Sequence, residues 1–442
     1  MRSLPTLALT ASLGVVGLAV APAASAAAPD DSVAYLAERL ADGGDRLVTE
    51  SGGQSFDDLG LTIDAILGMT AAGSGGDSAA AASDYVLANS ATYIGSEDEV
   101  YSAATAKLLT FATARGLDPR TVNGVDLVTK LQSLEEENGQ FADQSEYGDY
   151  SNTLGQSFAL IGLERADGVN PSTASVGFLL EQQCDDGGFR LTYDNPDETG
   201  DEACTSDPDA TSMAVQALHT VGGHDTAVQS ATDYLASRQA ATGGVGGGET
   251  TEGANANSTG LAAVAFRLAG RADARARALD YVESVTFGCD TPAVVGGIAY
   301  NRADFEAATA KGADAQPDGT ITRTTAQAVL GQTDESYATV TAAGQTGATP
   351  TLECRSTEPG DETTEPGDGA TEPTDEATGP TDDTTGTDTN DDGTTTTGPE
   401  RPEVVQTDGA VASTPNLLLA LGAGGLTAAL VVLVRRRTAS QH

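Results

Sequence analysis

Two kinds of apolar pattern alternate between residues 30 and 333. The first keeps charges on one side: SVAYLAERLAD (32–42), AAAASDYVLANS (79–90), GVDLVTKLQSLEEE (124–137), TASVGFLLEQQ (173–183), TAVQSATDYLASRQ (226–239) and ARARALDYVESV (274–285). Several share an aromatic followed by Leu or Val: Tyr35-Leu36, Tyr85-Val86, Phe178-Leu179, Tyr234-Leu235 and Tyr281-Val282. The second kind is rich in Ala, Gly and Leu with few polar residues after its first turn. It starts near Leu61, Ala104, Asn152, Ala210, Ser258 and Thr324. A one-sided pattern predicts a helix with a solvated face, and an apolar pattern all round predicts a helix buried on most sides. The chain therefore predicts an all-α fold of six pairs, each an outer helix followed by an inner one. Such repeats stack as an open solenoid or as a ring. Six units with buried inner helices favour the ring, because closure leaves no end to cover. Each inner helix also has a Thr at its start: Thr62, Thr105, Thr153, Thr211, Thr259 and Thr325. Those hydroxyls are expected to accept from the free N–H groups of the first turn.

The longest connection, QQCDDGGFRLTYDNPDETGDEACTSDPDATSMAVQAL (182–218), is echoed by LQSLEEENGQF (131–141) and SRQAATGGV (237–245). Its closing helix is echoed by NTLGQSFALIGL (152–163) and STGLAAVAFRLAG (258–270). Gln183 with Asp186-Gly187-Gly188-Phe189 is similar to the QW-type repeat of squalene/terpenoid cyclases and to the repeats of protein prenyltransferase β subunits. DPDATSMAVQAL resembles the DxDDTA segment of the cyclases and helices of the cobalamin carriers intrinsic factor and transcobalamin. The resemblance covers about 300 residues. It implies an α/α toroid of about six helical hairpins, and it is specific for fold rather than activity.

The two ends read differently. Residues 1–26 combine Arg2, an apolar run from Leu7 to Ala21 and Ala24-Ser25-Ala26, which is a signal peptide with an A-x-A cleavage site. The toroid domain is assigned to 27–354. Residues 355–416 are mostly Thr, Asp, Glu, Gly and Pro, a composition that predicts a disordered acidic stalk. Residues 417–434 are apolar or small and precede Arg435-Arg436-Arg437. As a helix such a run rises about 27 Å, enough for the hydrocarbon core. Residues 417–437 are thus expected to form a transmembrane helix with its basic end in the cytoplasm. The layout resembles the sorting tail of Gram-positive surface proteins, but VVQTDG (404–409) departs from the LPxTG pattern, so a plain membrane anchor is the reading.

The formal net charge of −43, with only three lysines, argues against a nucleic-acid partner. Four cysteines in an exported chain imply two disulfides. Of the three possible pairings, Cys184–Cys204 staples the long loop and Cys289–Cys354 ties down the end of the domain.

Several chemistries compete. A cyclase-type general acid falls on Asp209, beside Asp207, but Ala210 replaces the last acid of the motif and the chain has no Trp. The bland alternative is that Asp207 or Asp209 caps the inner helix. A prenyltransferase-type zinc site needs Asp, Cys and His together, and His219, His224 and His442 are the only histidines. No Cys-Gly-Glu-Gln thioester segment occurs. Paired acids for glycoside cleavage are available among Asp57, Asp58, Asp149, Asp207 and Asp209, as chance allows in so acidic a chain. DNPDETGDE (194–202) offers oxygen ligands for calcium without EF-hand spacing. If the ring closes, the inner-helix starts surround one mouth, with Asp149, Tyr150, Asn152, Asn255, Asn257 and Arg323 as ligand-binding candidates on a hydrogen-bonding rim. The expectation is a surface-anchored toroid that binds a small molecule or surface ligand, without metal or cofactor. A cyclase-like or carbohydrate-active enzyme and a purely structural surface protein are the alternatives.

Overall fold

The computed structural model describes residues 29–51, 54–96, 98–193, 204–248 and 251–352. The expected signal peptide, stalk, membrane helix and 194–202 loop lie outside the described residues. Among those that are described, no helix is long and apolar enough to cross a membrane.

Among the described residues, fourteen α-helices follow in order: α1 (Asp30–Asp42), α2 (Leu59–Ala72), α3 (Gly76–Ala88), α4 (Ser90–Ile94), α5 (Ser102–Ala114), α6 (Leu127–Gln132), α7 (Thr153–Arg165), α8 (Thr173–Glu181), α9 (Pro208–Val221), α10 (Asp225–Arg238), α11 (Ala256–Leu268), α12 (Ala272–Ser284), α13 (Arg302–Thr309) and α14 (Gly319–Ala328). Three antiparallel two-stranded hairpins lead into α2, α9 and α11: β1 (Val48–Ser51) with β2 (Gln54–Asp57), β3 (Phe189–Arg190) with β4 (Ser206–Asp207), and β5 (Val245–Gly248) with β6 (Thr251–Asn255). The apolar runs form the inner helices. Each packs on the next, α2 on α5, then α7, α9, α11 and α14, and α14 packs back on α2. The inner layer is therefore a closed ring of six. Helices α3, α6, α8, α10 and α12 each lie on the inner helix that precedes them, and α1 lies against both α14 and α2. The fold is an α/α toroid.

Polar residues at the inner-helix starts are mostly accounted for by capping. Asp58, Asn152, Asp207, Asn255 and Asp318 accept from the first-turn amides of α2, α7, α9, α11 and α14. α5 lacks such a cap. Asp143, on a neighbouring loop, substitutes by accepting from Ser102 N and Oγ, both at 2.8 Å.

The threonines do something other than the expected first-turn capping. Each of Thr62, Thr105, Thr211 and Thr325 donates to the carbonyl four residues before it, at 2.6–2.7 Å. The same hydroxyls of Thr62, Thr211 and Thr325, and that of Thr259, accept from the incoming chain at Leu47 N, Phe189 N, Val245 N and Ile298 N, at 2.8–2.9 Å. In the α7 unit this place belongs to Gln156, four residues past its cap, which accepts from Phe141 N at 3.0 Å. Thr153 sits three residues too early. Four of the hydroxyls thus stitch a connection to the inner helix after it, while the Asx side chains serve the first turn.

The Gly-rich echoes fasten the outer layer. Gly139, Gly187, Gly243 and Gly296 have φ of +93°, +90°, +93° and +79°. A Cβ on them would stand 2.0–2.6 Å from the backbone oxygens of Ala174, Ser230, Arg277 and Asp31, each on the next outer helix. Gln183 Nε2 donates to Gly187 O and Ala227 O, and Gln239 Nε2 to Gly243 O and Ala274 O, at 2.8–2.9 Å. The QW-like glutamine is a structural tie here. Gly296 against Asp31 closes the outer layer as α14 against α2 closes the inner one. Cys184–Cys204 is a disulfide. Cys289 is also disulfide-bonded, and Cys354 lies outside the described residues.

A strap, residues 333–346, crosses the C-terminal ends of the inner helices. Arg165 Nη1 and Nη2 donate to Tyr337 O (3.1 Å), Ala338 O and Val340 O (2.8 Å). Arg267 Nη2 donates to Glu335 O at 2.9 Å and Arg115 Nη1 to Gln345 Oε1 at 2.8 Å. Cations there also suit the negative ends of the helix dipoles. Arg165→Met is expected to cost about 2–3 kcal/mol, since hydrogen bonds to a charged group are worth roughly 1.5–3 kcal/mol each. The check is hydrogen exchange, in which amides between 336 and 346 should lose protection while those of α9 keep theirs.

Candidate functional site

A pocket opens in the ring interior. Asp64, Lys107, Phe158, Met213 and Leu261 line it. Each is the sixth residue of its inner helix, counting from Leu59, Ser102, Thr153, Pro208 and Ala256. They form one level. Leu154, Asp209 and Asn257, each the second residue of its helix, line a level one turn nearer the N-terminal mouth. Gln327 of α14 adds an amide, and Tyr337 enters from the strap. The strap thus floors the pocket at the C-terminal end of the ring.

Lys107 Nζ and Asp64 Oδ1 are 2.7 Å apart, with side chains only 1% and 3% exposed. Nζ also lies 5.7 Å from the centroid of Phe158, within the range where a ring face attracts a cation. Tyr337 packs on Phe158 at 4.9 Å between centroids, tilted by 58°. Asn257 Nδ2 donates to Gln327 Oε1. Asn257 is 5% exposed, and its Oδ1 is a buried acceptor with no hydrogen-bond partner. Asp209 adds a second carboxylate to the wall, and Leu154, Met213 and Leu261 complete it. The free space is about 40 Å³, where a water needs roughly 10–15 Å³ by this kind of measure. A space of that size holds a few heavy atoms.

Of the candidates named from the sequence, Asp209 and Asn257 line this pocket. Asp207 does not: it is the cap of α9, accepting from Asp209 N and Ala210 N at 2.9 Å. Asn152 and Asn255 are caps as described. Arg323 Nη2 lies 2.7 Å from Asp58 Oδ2, clasping α14 to the start of α2. Asp149 accepts from Gln140 Nε2, Asp143 N and Ser151 N at 2.7–2.9 Å. Tyr150 is 40% exposed and donates to Tyr147 O. Among the described residues no group of three or more His, Cys, Asp or Glu could hold a metal ion.

Asp64 and Lys107 were not among the sequence candidates. The signal was there: LTIDAILGM and AATAKLLTF each carry one charge in the middle of an inner-helix run, at the same helical position in adjacent repeats.

The mouth holds one titration handle. Burial, helped by the Asp149 charge, pushes the Asp143 carboxyl above its ordinary value, against the pull of the Ser102 hydrogen bonds. The folded chain therefore keeps this proton to higher pH than the unfolded chain. Its contribution favours folding at acid pH and is lost as pH rises through the folded value. The difference in urea midpoint, wild type minus Asp143→Asn, should be larger near about pH 4 than near about pH 7; a difference that is flat or reversed removes the assignment.

No protein-family model matches the chain, and no curated protein matches it. Solved structures similar to it include a protein from Actinoplanes, at 17% identity and TM-score 0.46, covering 68% of this chain and 98% of that one. The type II terpene cyclase MstE from Scytonema, in its apo form, is similar at 14% identity and TM-score 0.49, covering 69% and 96%. A glycosidase is similar at 12% identity and TM-score 0.45, covering 69% and 96%. Likeness at this level carries no chemistry across, and the ring stands on its own packing.

Proposed function

We propose that this chain is an exported, membrane-tethered binding protein that holds a small molecule in the pocket of its toroid. The observation that carries the reading is the pocket itself: a buried ion pair and an unsatisfied amide oxygen inside an aliphatic and aromatic wall. A few convergent polar groups in a mostly apolar concavity are what ligand sites offer. Export and tethering rest on the sequence of the two ends.

Binding is favoured over catalysis for two reasons. The mouth carboxylates and amides of Asp58, Asn152, Asp207, Asn255 and Asp318 are occupied as helix caps. The pocket, moreover, is small and already contains a cation, Lys107. An enzymatic reading has one observation in its favour, the place of Asp209 in the pocket. It requires that Asp209→Asn abolish a turnover.

Thermal melting of the purified chain against small amines, alcohols, carboxylates and sugars tests the binding reading. One class should raise the melting point with concentration. Leu261→Trp, which fills the pocket, should melt cooperatively and lose that response. If no class shifts the wild type, or Leu261→Trp responds equally, the protein is a surface scaffold without a pocket ligand.

A further inference from the structure

We infer that the Lys107 amine and the Asp64 carboxyl condense to an amide, a covalent tie between α2 and α5 inside the ring.

The helices set the geometry. Asp64 and Lys107 are each the sixth residue of their inner helix, and α2 packs on α5. Two neighbouring repeats therefore present an amine and a carboxyl at one level. Nζ is 2.7 Å from Oδ1. A carbon–oxygen bond adds about 1.2 Å, so Nζ stands at most about 4 Å from the carboxyl carbon, close to the ~3–3.5 Å of a near-attack arrangement. Two packed helices hold both ends there, and groups so held react as if at concentrations of about 10⁵–10⁸ M.

Burial sets the chemistry. The two side chains are 1% and 3% exposed, and Leu154, Phe158, Met213 and Leu261 surround the same space. Passing one proton from Nζ to Oδ1 turns the ion pair into an amine and a carboxylic acid, the uncharged forms that apolar surroundings favour. The nitrogen lone pair attacks Cγ and the N–C bond forms. One C–O bond breaks, and the hydroxyl leaves as water with a proton from nitrogen. Asp209 lines the same space and offers a carboxyl through which that proton can pass. Nothing is oxidised or reduced, and no co-reactant is consumed. The released water has room, since the free space is about 40 Å³ and a water needs roughly 10–15 Å³. The product buries an amide where two charges stood, which costs less. The ion pair is the state before the bond closes. An amide leaves a carbonyl and an N–H in the pocket wall, so the tie stands apart from the ligand reading, and either can fail alone.

The full chain, folded and aged at neutral pH, is denatured, reduced and digested with trypsin for mass spectrometry. Within residues 47–115 the only cutting points are Lys107 and Arg115, and acylation of Nζ blocks the first. The bonded chain should give Leu47–Arg115 as one peptide lacking one water. The open chain gives Leu47–Lys107 and Leu108–Arg115 at full mass, and only these in the aged sample would overturn the inference. Fragmentation of the long peptide should place the missing water on a link between Asp64 and Lys107; the same loss on a cyclic imide at another Asp overturns it as well. The double variant Asp64→Leu, Lys107→Met should keep its full mass over residues 47–115, and a water still missing there counts against the tie. Freshly folded chain, whose mass still includes that water, is the reference for free-energy comparisons at this pair.

Discussion

Lys107→Met will destabilise the chain by about 3–5 kcal/mol, the usual cost of removing one partner from a buried ion pair. Met keeps most of the apolar stem, so little packing is lost. What remains is the Asp64 carboxylate, 3% exposed, in a wall it shares with Leu154, Phe158, Met213 and Leu261. The lost Coulomb term is large where the local dielectric is low. Pairing the change with Asp64→Leu should return most of the loss, since two apolar groups of similar volume replace two charges. Chemical denaturation of the wild type, both single variants and the double variant gives the coupling directly. A Lys107→Met variant within about 1 kcal/mol of wild type would mean the pair is solvated and the interior wetter than described.

The second large effect belongs to the outer seam. Gly296→Ala should cost about 2–4 kcal/mol. Part is backbone: at φ +79° an L-residue is disfavoured by roughly 1–2 kcal/mol. The larger part is collision, because the new Cβ would stand 2.0 Å from Asp31 O and α1 must move away from its seat. Moving α1 also strains the Ser32 Oγ bond to Gly296 O, now 2.9 Å. Gly168→Ala supplies the control. It shares a positive φ of +75° and meets nothing within 4 Å, so it should show the backbone part alone. Equal losses at the two glycines would show that the last-to-first seam bears no stability.

Much of this architecture was legible from local pattern. The contrast between SVAYLAERLAD and STGLAAVAFRLAG fixes outer and inner helices, because burial on one side and on all sides leave different residues. Ring closure followed from counting six units. The threonine register was visible, but their partners were not: Leu47, Phe189, Val245 and Ile298 lie 14 to 27 residues away, and no local rule brings them in. The mouth candidates mix caps, a clasp and true pocket residues because a helix start looks the same whether its Asx serves an amide or a ligand. Asp209 and Asn257 differ from Asp207 and Asn255 by two positions, which turns the side chain from the backbone to the interior. The strap escaped notice for a simpler reason. TDESYATVTAAGQT has no helical or strand period, and its order comes from arginines on α7 and α11 and at the end of α5.

The strap has one more implication. After it, Thr346, Gly347 and Ala348 take the first amides of α3, and Leu352 settles with Ala34 and Val295 against α1. Start and finish of the toroid therefore share one spot on its wall. A permuted gene that splices these ends and opens at the exposed turn between α7 and α8 would keep every helix in its present company. A load applied to the chain at Leu352 would enter where the first helix is seated, so that spot, rather than the far side of the circle, is where a pulled molecule should first give way.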